Sequence, residues 1–264
     1  MKQLTKLLLM GVIGTGLSFS ALAEEASVKD YRAMLEDSPG DFWVDDGKDL
    51  FYAKAGPKNV SLEKCDLGKG SGVVEGVYAE LPKYFADINQ VMDLEARLMH
   101  CMITLQGKNK DSIIKNAFSN PKKGKDSEME KIVAFVAAQS NGQKFQLSLA
   151  HPKEMESYKT GEALFWRRSG TMDFSCATCH AADGKRIRLQ TLYNAYNDKE
   201  TIPSWPTYRV SKSTVRTMQN RMWDCHWQMR LPDVDFGSKA TVDLITFMTK
   251  QSEGGVIQVP SIKR

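Results

Sequence analysis

Of the 264 residues, only four are histidine and five are cysteine. No two histidines have metal-binding spacing, and C-x-x-C occurs once, so a structural zinc site is excluded. An odd number of cysteines excludes a framework in which every sulfur is paired. Long apolar runs are missing as well. The stretch Leu7 to Leu17 is too short and too glycine-rich for a membrane span, and no other stretch approaches that length. Nor does one sign of charge dominate. Lys and Arg total 36 against 32 Asp and Glu, for a net charge of +4 without a basic stripe, which excludes nucleic acid as a partner. Strand-like alternation is scarce, so an all-β fold is excluded. What is left, at 42% hydrophobic and 26% charged residues, is an ordinary globular chain rather than a disordered one.

The N-terminus is built as an export signal. Lys2 and Lys6 supply the positive region, the apolar run follows, and Ala21-Leu22-Ala23 is an A-x-A cleavage site. The expected mature chain begins at Glu24 in the periplasm, or an equivalent oxidising space, where disulfides persist.

Comparing the sequence with itself reveals a repeat. Gly47-Lys-Asp-Leu-Phe51 aligns with Gly161-Glu-Ala-Leu-Phe165, and Gly56 with Gly170. Cys65 aligns with Cys176, Pro82-Lys-Tyr84 with Pro206-Thr-Tyr208, and Arg97 and Cys101 with Arg221 and Cys225. Phe135, Gln139, Ser140 and Gly142 align with Phe247, Gln251, Ser252 and Gly254. Order and near-constant spacing carry the match. The predicted fold is mostly α, with domains at 24–150 and 151–264 and a connection over 143–152. Helices are expected over 47–54, 87–104, 128–139, 161–168, 214–229 and 240–250. The first copy has an insertion in the Lys-rich stretch Lys108 to Lys131, read as a solvated loop. The second has one around Ile187 to Glu200. In Asp41-Phe42-Trp43, packing is the expected role.

Cys176-Ala-Thr-Cys179-His180 is the C-x-x-C-H signal for covalent haem c attachment. Two thiols reach the two vinyl groups on one porphyrin edge, and the next residue places an imidazole on the iron. Without a second copy of the motif, a dihaem peroxidase is disfavoured. A sensor would need a signalling domain, which is missing. Candidates for the second axial position are Met218, Met222, Cys225, His226 and Met229. Of these only the cysteine recurs in the other copy, as Cys101; a free cysteine with Met222 or Met229 on iron is the alternative.

The first copy reads Cys65-Asp-Leu-Gly68-Lys69 where the second reads C-A-T-C-H. Glycine replaces the second attachment cysteine and lysine replaces the proximal histidine, so this copy lacks the means to hold haem c. If it has closed over a vanished haem, Cys65 and Cys101 meet and form a disulfide. Two cysteines are then for haem, two for the disulfide, and Cys225 is left over.

A haem c domain fused to a degenerate copy, with Arg221-Met-Trp-Asp-Cys225-His-Trp-Gln228-Met229-Arg230, resembles the A subunit of the SoxAX cytochromes of bacterial thiosulfate oxidation. It looks like the monohaem branch, with a disulfide in place of the first haem. The resemblance implies L-cysteine S-thiosulfotransferase activity: thiosulfate is joined oxidatively to a cysteine of the carrier SoxYZ. Electrons leave through one haem c, ligated by His180 and Cys225, to a partner cytochrome c, the X subunit of a heterodimer. Cys225 is then also the catalytic cysteine, typically a persulfide, and Arg221 binds substrate. Arg221 lies one helical turn before Cys225, on the same face, and its forked donors suit an oxyanion. Arg216 and Arg230 are further candidates for positive potential. The competing reading is a plain electron-transfer cytochrome c, which leaves the Arg and Cys opposite the haem unexplained.

Overall fold

The computed structural model describes residues 38–187 and 190–263. The expected export signal, with its expected cleavage site after Ala23, lies outside the described residues. Eight α-helices occur among the described residues: α1 (Pro39–Tyr52), α2 (Leu94–Thr104), α3 (Lys110–Lys115), α4 (Glu128–Ala138), α5 (Pro152–Trp166), α6 (Cys176–His180), α7 (Met218–Gln228) and α8 (Lys239–Gln251). The strands are short: β1 (Lys83–Phe85), β2 (Gln90–Met92), β3 (Arg186–Ile187), β4 (Gln190–Thr191), β5 (Thr207–Arg209), β6 (Thr214–Arg216) and β7 (Ser261–Lys263). β1 pairs with β2, β3 with β4, and β6-β5-β7 form one sheet, antiparallel at β5–β6 and parallel at β5–β7.

The repeat is visible in how the helices cross. α1 packs on α4, and α5 packs on α8. Both crossings close on a glycine. A Cβ on Gly47 would lie 2.0 Å from the Lys131 carbonyl and 3.0 Å from Phe135 Cβ. A Cβ on Gly161 would lie 1.9 Å from the Asp243 carbonyl and 2.9 Å from Phe247 Cβ. Equivalent helices therefore touch backbone to backbone at equivalent points, which only glycine permits. Beside each contact sits a fully buried phenylalanine, Phe51 on Phe135 and Phe165 on Phe247, with ring centroids 5.6 and 5.0 Å apart.

Five expectations change. The helices expected over 47–54 and 161–168 run over Pro39–Tyr52 and Pro152–Trp166, each opened by a capping box and a proline at its first turn. The helix expected from Asp87 starts at Leu94, and the one expected from Thr214 starts at Met218. In each copy the missing turns are strands, reversed at Asn89 and Ser213, which take positive φ (56° and 52°). Asp93 and Thr217 then cap the helices, accepting the Ala96 and Asn220 N–H groups. The apolar residues Val91 and Val215 had helical spacing but belong to strands. Lys108 to Lys131 is also more than a solvated loop. It forms α3 and buries Ile113 and Ala117, while Ser127 donates to the Ala117 carbonyl. The polar groups of the stretch satisfy one another, which lets its apolar residues go under.

The connection runs from the first copy along the second. The Phe145 N–H donates to the Gly255 carbonyl, and the Gly254 N–H returns to the Phe145 carbonyl. Phe145 and Leu147 are buried. Trp43 packs, as expected, against Ala134 and Val215, tying α1 and α4 to the β5–β6 sheet, whereas Phe42 is exposed. Tyr78 donates to the Trp205 carbonyl and the Tyr84 N–H donates to Glu154, so the two copies share polar as well as apolar contacts.

Candidate active site

Helix α6 is a short turn held by Ser175 and Thr178, each of whose side chains accepts the other's backbone N–H. This turn sets Cys176, Cys179 and His180 on the lining of one cavity. His180 Nδ1–H donates to the Tyr193 carbonyl at 3.0 Å. A carbonyl can only accept, so the proton is fixed on Nδ1 and the Nε2 lone pair is left for a ligand. Burial keeps the His180 pKa below its usual value, with Arg221 adding to the effect, so the imidazole is neutral, as ligation requires.

Helix α7 supplies the other wall. Arg221, Cys225 and Met229 line the cavity at intervals of one turn. The remaining candidates for a second axial ligand go elsewhere. Met218 is buried in the core, and Met222 packs against it. His226 Nδ1–H donates to the Pro232 carbonyl. The cavity therefore narrows five candidates to Cys225 and Met229. Burial pushes the Cys225 thiol above its usual pKa, while Arg221 pulls it down. Cys176 is pushed up to about 12, by burial and then by Cys225.

Arg221 Nη1 donates to Asp224 Oδ2 at 3.2 Å, and Gln228 Nε2 donates to the same oxygen at 2.7 Å. Asp224 thus steadies both cavity-lining side chains. Nothing in its sequence spacing marked it out. Arg216 does not face the cavity: it donates to Glu130 at 3.3 Å and to the Ser119 carbonyl at 3.0 Å, across to the first copy. Arg230 lies over the Trp227 ring, 5.2 Å from its centroid, away from the cavity lining.

The first copy also holds α7 by its N-terminus. Glu95 accepts the Gln219 N–H at 3.1 Å, and Asp93 accepts the Gln219 side-chain amide at 3.0 and 2.8 Å. Glu130 accepts Asn220 Nδ2 at 3.1 Å. Acidic groups at a helix N-terminus complement its dipole. Their burial raises the Glu130 carboxyl to about 7, against the pull of Arg216, and raises the Glu95 carboxyl, which Asp93 reinforces. Three acids from one copy and one helix from the other form no linear pattern, so sequence spacing had no way to reveal them.

At the matching place in the first copy the residues and their contacts differ. Cys65 and Cys101 form a disulfide with Cα atoms 5.8 Å apart, as expected from the repeat, and both are buried. Lys69, at the histidine position, pairs with Glu80 at 2.9 Å. Arg97, the counterpart of Arg221, is locked inward. It donates to the Asp66 carbonyl and to both Asp87 oxygens, and sits 4.2 Å from the Phe85 ring centroid. Removing the bond by Cys65→Ala with Cys101→Ala should cost about 2–4 kcal/mol. A calorimetric scan should show a lower melting temperature with the haem absorbance of the second copy retained. An unchanged melting temperature would refute a stabilising role.

Known proteins bear on this geometry. The profile of the SoxA/TsdA cytochrome c domain matches residues 46–145 and again 160–257, so both copies are recognised. The L-cysteine S-thiosulfotransferase subunit SoxA of Hydrogenophilus thermoluteolus is 44% identical over 94% of this chain and 92% of its own. The chain belongs to the SoxA family. A SoxA of Hydrogenobacter thermophilus is 35% identical over 97% of both chains. The crystal structure of SoxXA from P. pantotrophus shares the fold, with a TM-score of 0.70 and 23% identity over 86% of this chain and 79% of that one. A cytochrome c domain of the SoxA family carries covalently bound haem c, and the residues around this cavity fit it. Two free thiols and an imidazole with an open Nε2 line it from α6, and the sulfur atoms of Cys225 and Met229 line it from α7. No described helix is long and apolar enough to cross a membrane.

Proposed function

We propose that this chain is an L-cysteine S-thiosulfotransferase subunit that joins thiosulfate to a cysteine of the carrier SoxYZ. The observation that carries the reading is that Cys225 of α7 and His180 of α6 line the same cavity, with Arg221 one turn from Cys225 and also lining it. A plain electron-transfer cytochrome has no use for a second thiol and a guanidinium there. Cys176 and Cys179 would attach one haem c, and His180 and Cys225 would ligate its iron; the group would supply one-electron acceptance and a metal centre able to hold Cys225 as thiolate. Residues 1–23 form the cleaved export signal, residues 24–150 the haemless domain and residues 151–264 the loaded one. The mature protein works in the periplasm as a heterodimer with the X-subunit cytochrome c.

The chemistry follows from the side chains. Arg221 binds the sulfonate oxygens of thiosulfate and directs its outer sulfur at Cys225. Bonding of the Cys225 thiolate to that sulfur releases two electrons, for which a bound haem and the partner cytochrome would be the acceptors. A carrier thiolate then attacks the same outer sulfur and displaces the Cys225 thiolate. The sum is thiosulfate plus carrier thiolate giving carrier S-thiosulfonate and two electrons. Burial, which opposes ionisation of a free Cys225 thiol, makes the metal the natural holder of its charge.

The test is conjugation by the purified heterodimer. Thiosulfate, reduced carrier and an electron acceptor should yield carrier heavier by one thiosulfate, read by intact mass. The same measurement on this chain should report one haem and loss of residues 1–23. Unmodified carrier, with haem present and reducible, would favour the electron-transfer reading.

A further inference from the structure

Helices α2 and α7 are equivalent in the repeat, and their first turns meet. Glu95 in α2 and Gln219 in α7 stand at matching positions, each two residues before an arginine, Arg97 or Arg221. The Gln219 N–H donates to Glu95 Oε2 at 3.1 Å. The Gln219 side-chain amide donates to both oxygens of Asp93, the cap of α2. Gln219 Oε1 accepts the Gly237 N–H at 2.7 Å, which fixes the amide with its nitrogen toward Asp93. Two helix N-termini, each the positive end of a dipole, therefore share one pair of acids.

The hydrogen bonds separate the roles of the two acids. Asp93 is met by donors on both oxygens, the Ala96 N–H at 2.8 Å and the Gln219 amide at 3.0 and 2.8 Å. That set suits a carboxylate. Glu95 is 4% exposed, and its Oε1 is buried without a hydrogen-bond partner among the described residues. A second ionised carboxylate there, with one oxygen bare, is costly, and a proton on it removes the cost. Glu95 also lines a cavity between the copies with Tyr78, Met218 and Thr249, and no lysine, arginine or histidine is on that lining. Two other titratable groups face it. The Tyr78 hydroxyl donates to the Trp205 carbonyl, and Glu130 on α4 holds Arg216 of β6. Burial, with Asp93 and Glu130 adding to it, keeps the Glu95 carboxyl well above the usual carboxylate range.

We propose that Glu95 is a positioning residue that works as a neutral acid: with ionised Asp93 it locks the first turns of α2 and α7 together and so holds Arg221 and Cys225 toward the cavity. This rests on the catalytic reading of those two residues. Helix α7 begins at the lock, and Arg221 and Cys225 follow Gln219 by two and six residues. A slide or rotation of α7 at its start would move both side chains along the cavity wall. The haemless copy thereby acts as the rigid block against which the reacting helix is set.

The test uses the haem-loaded heterodimer and the variants Glu95→Gln and Glu95→Ala. Glutamine copies the neutral acid, with one oxygen for the Gln219 N–H and a donor at the other site. The infrared difference between wild type and Glu95→Gln at pH 7 should show a protonated carboxyl band that shifts in D₂O; Glu130 is common to both proteins and cancels. Glu95→Ala should lower kcat/KM for thiosulfate by about 10- to 100-fold and move the axial-ligand bands with haem still attached. Glu95→Gln should restore most of both. The folded wild type keeps a proton that the unfolded chain loses, so its stability should fall relative to Glu95→Gln as pH rises above about 4.5. Its activity should fall once Glu95 ionises, a limb that Glu95→Gln lacks. No carboxyl band in the difference spectrum would overturn the neutral acid. Wild-type kcat/KM and bands in Glu95→Ala would overturn the positioning role. Should the wild type fail to conjugate thiosulfate, the catalytic reading falls, and the infrared and axial-ligand bands still decide whether Glu95 is neutral and sets α7.

Discussion

Cys225→Ala should abolish conjugation of thiosulfate to the carrier, with a fall in turnover of at least about 1,000-fold. The argument is chemical. The proposed reaction needs one sulfur on the protein that can bond to thiosulfate and then leave, and Cys225 is the free thiol of the cavity not committed to haem attachment. The substitution also removes the proposed axial thiolate. Since thiolate donation lowers a haem potential, the midpoint should rise and the axial-ligand bands should move. Haem attachment, which depends on Cys176 and Cys179, should persist. The informative comparison is Cys225→Met, which offers iron a sulfur but no transferable thiol. It should retain a low-spin spectrum and stay inactive. Activity in either variant above about one-tenth of wild type would sink the assignment of Cys225.

Arg221→Ala should lower kcat/KM for thiosulfate by about 10- to 100-fold, the worth of one or two charge-assisted hydrogen bonds to an oxyanion. Arg221→Lys should recover part of this, since it keeps the charge and loses the fork. The effect should fall mostly on kcat/KM at low thiosulfate. Arg221 also lowers the thiol pKa of Cys225, so the variant should need a higher pH for modification of the metal-free protein by a thiol reagent. Asp224 holds Arg221 and Gln228. Steady-state kinetics with the full heterodimer would decide the matter, and an unchanged kcat/KM in Arg221→Ala would remove the residue from the site.

Much of the site was legible because its chemistry is local in the chain. The C-x-x-C-H spacing and the one-turn interval from Arg221 to Cys225 are properties of a few consecutive residues. The disulfide was legible for a different reason: a repeat projects one copy's geometry onto the other, and Cys101 inherits the position of Cys225. Fold class followed from helical spacing, and the Gly47 and Gly161 contacts match because the same crossing is built twice. The misread segments were those whose fate depends on distant partners. Val215 is spaced for a helix, yet it is drawn into β6 by pairing with β5 and by Trp43 and Ala134. Ile113 and Ala117 sit in a lysine-rich stretch, yet they are buried because Ser127 and its neighbours satisfy the backbone around them.

The sequence by itself determined the repeat, the haem attachment signal, the degenerate first copy and the sulfur left unpaired. Each depends on residue identity and short spacing, which survive without coordinates. Tertiary structure alone decided which candidate sulfurs face the cavity, because Met222 stood beside Met229 as the alternative to Cys225 until the core claimed it. It alone sent Arg216 to Glu130. It also showed the first copy gripping the N-terminus of α7 through Asp93, Glu95 and Glu130. The physical reason is that a charge finds its partner through space, and burial makes that partner obligatory.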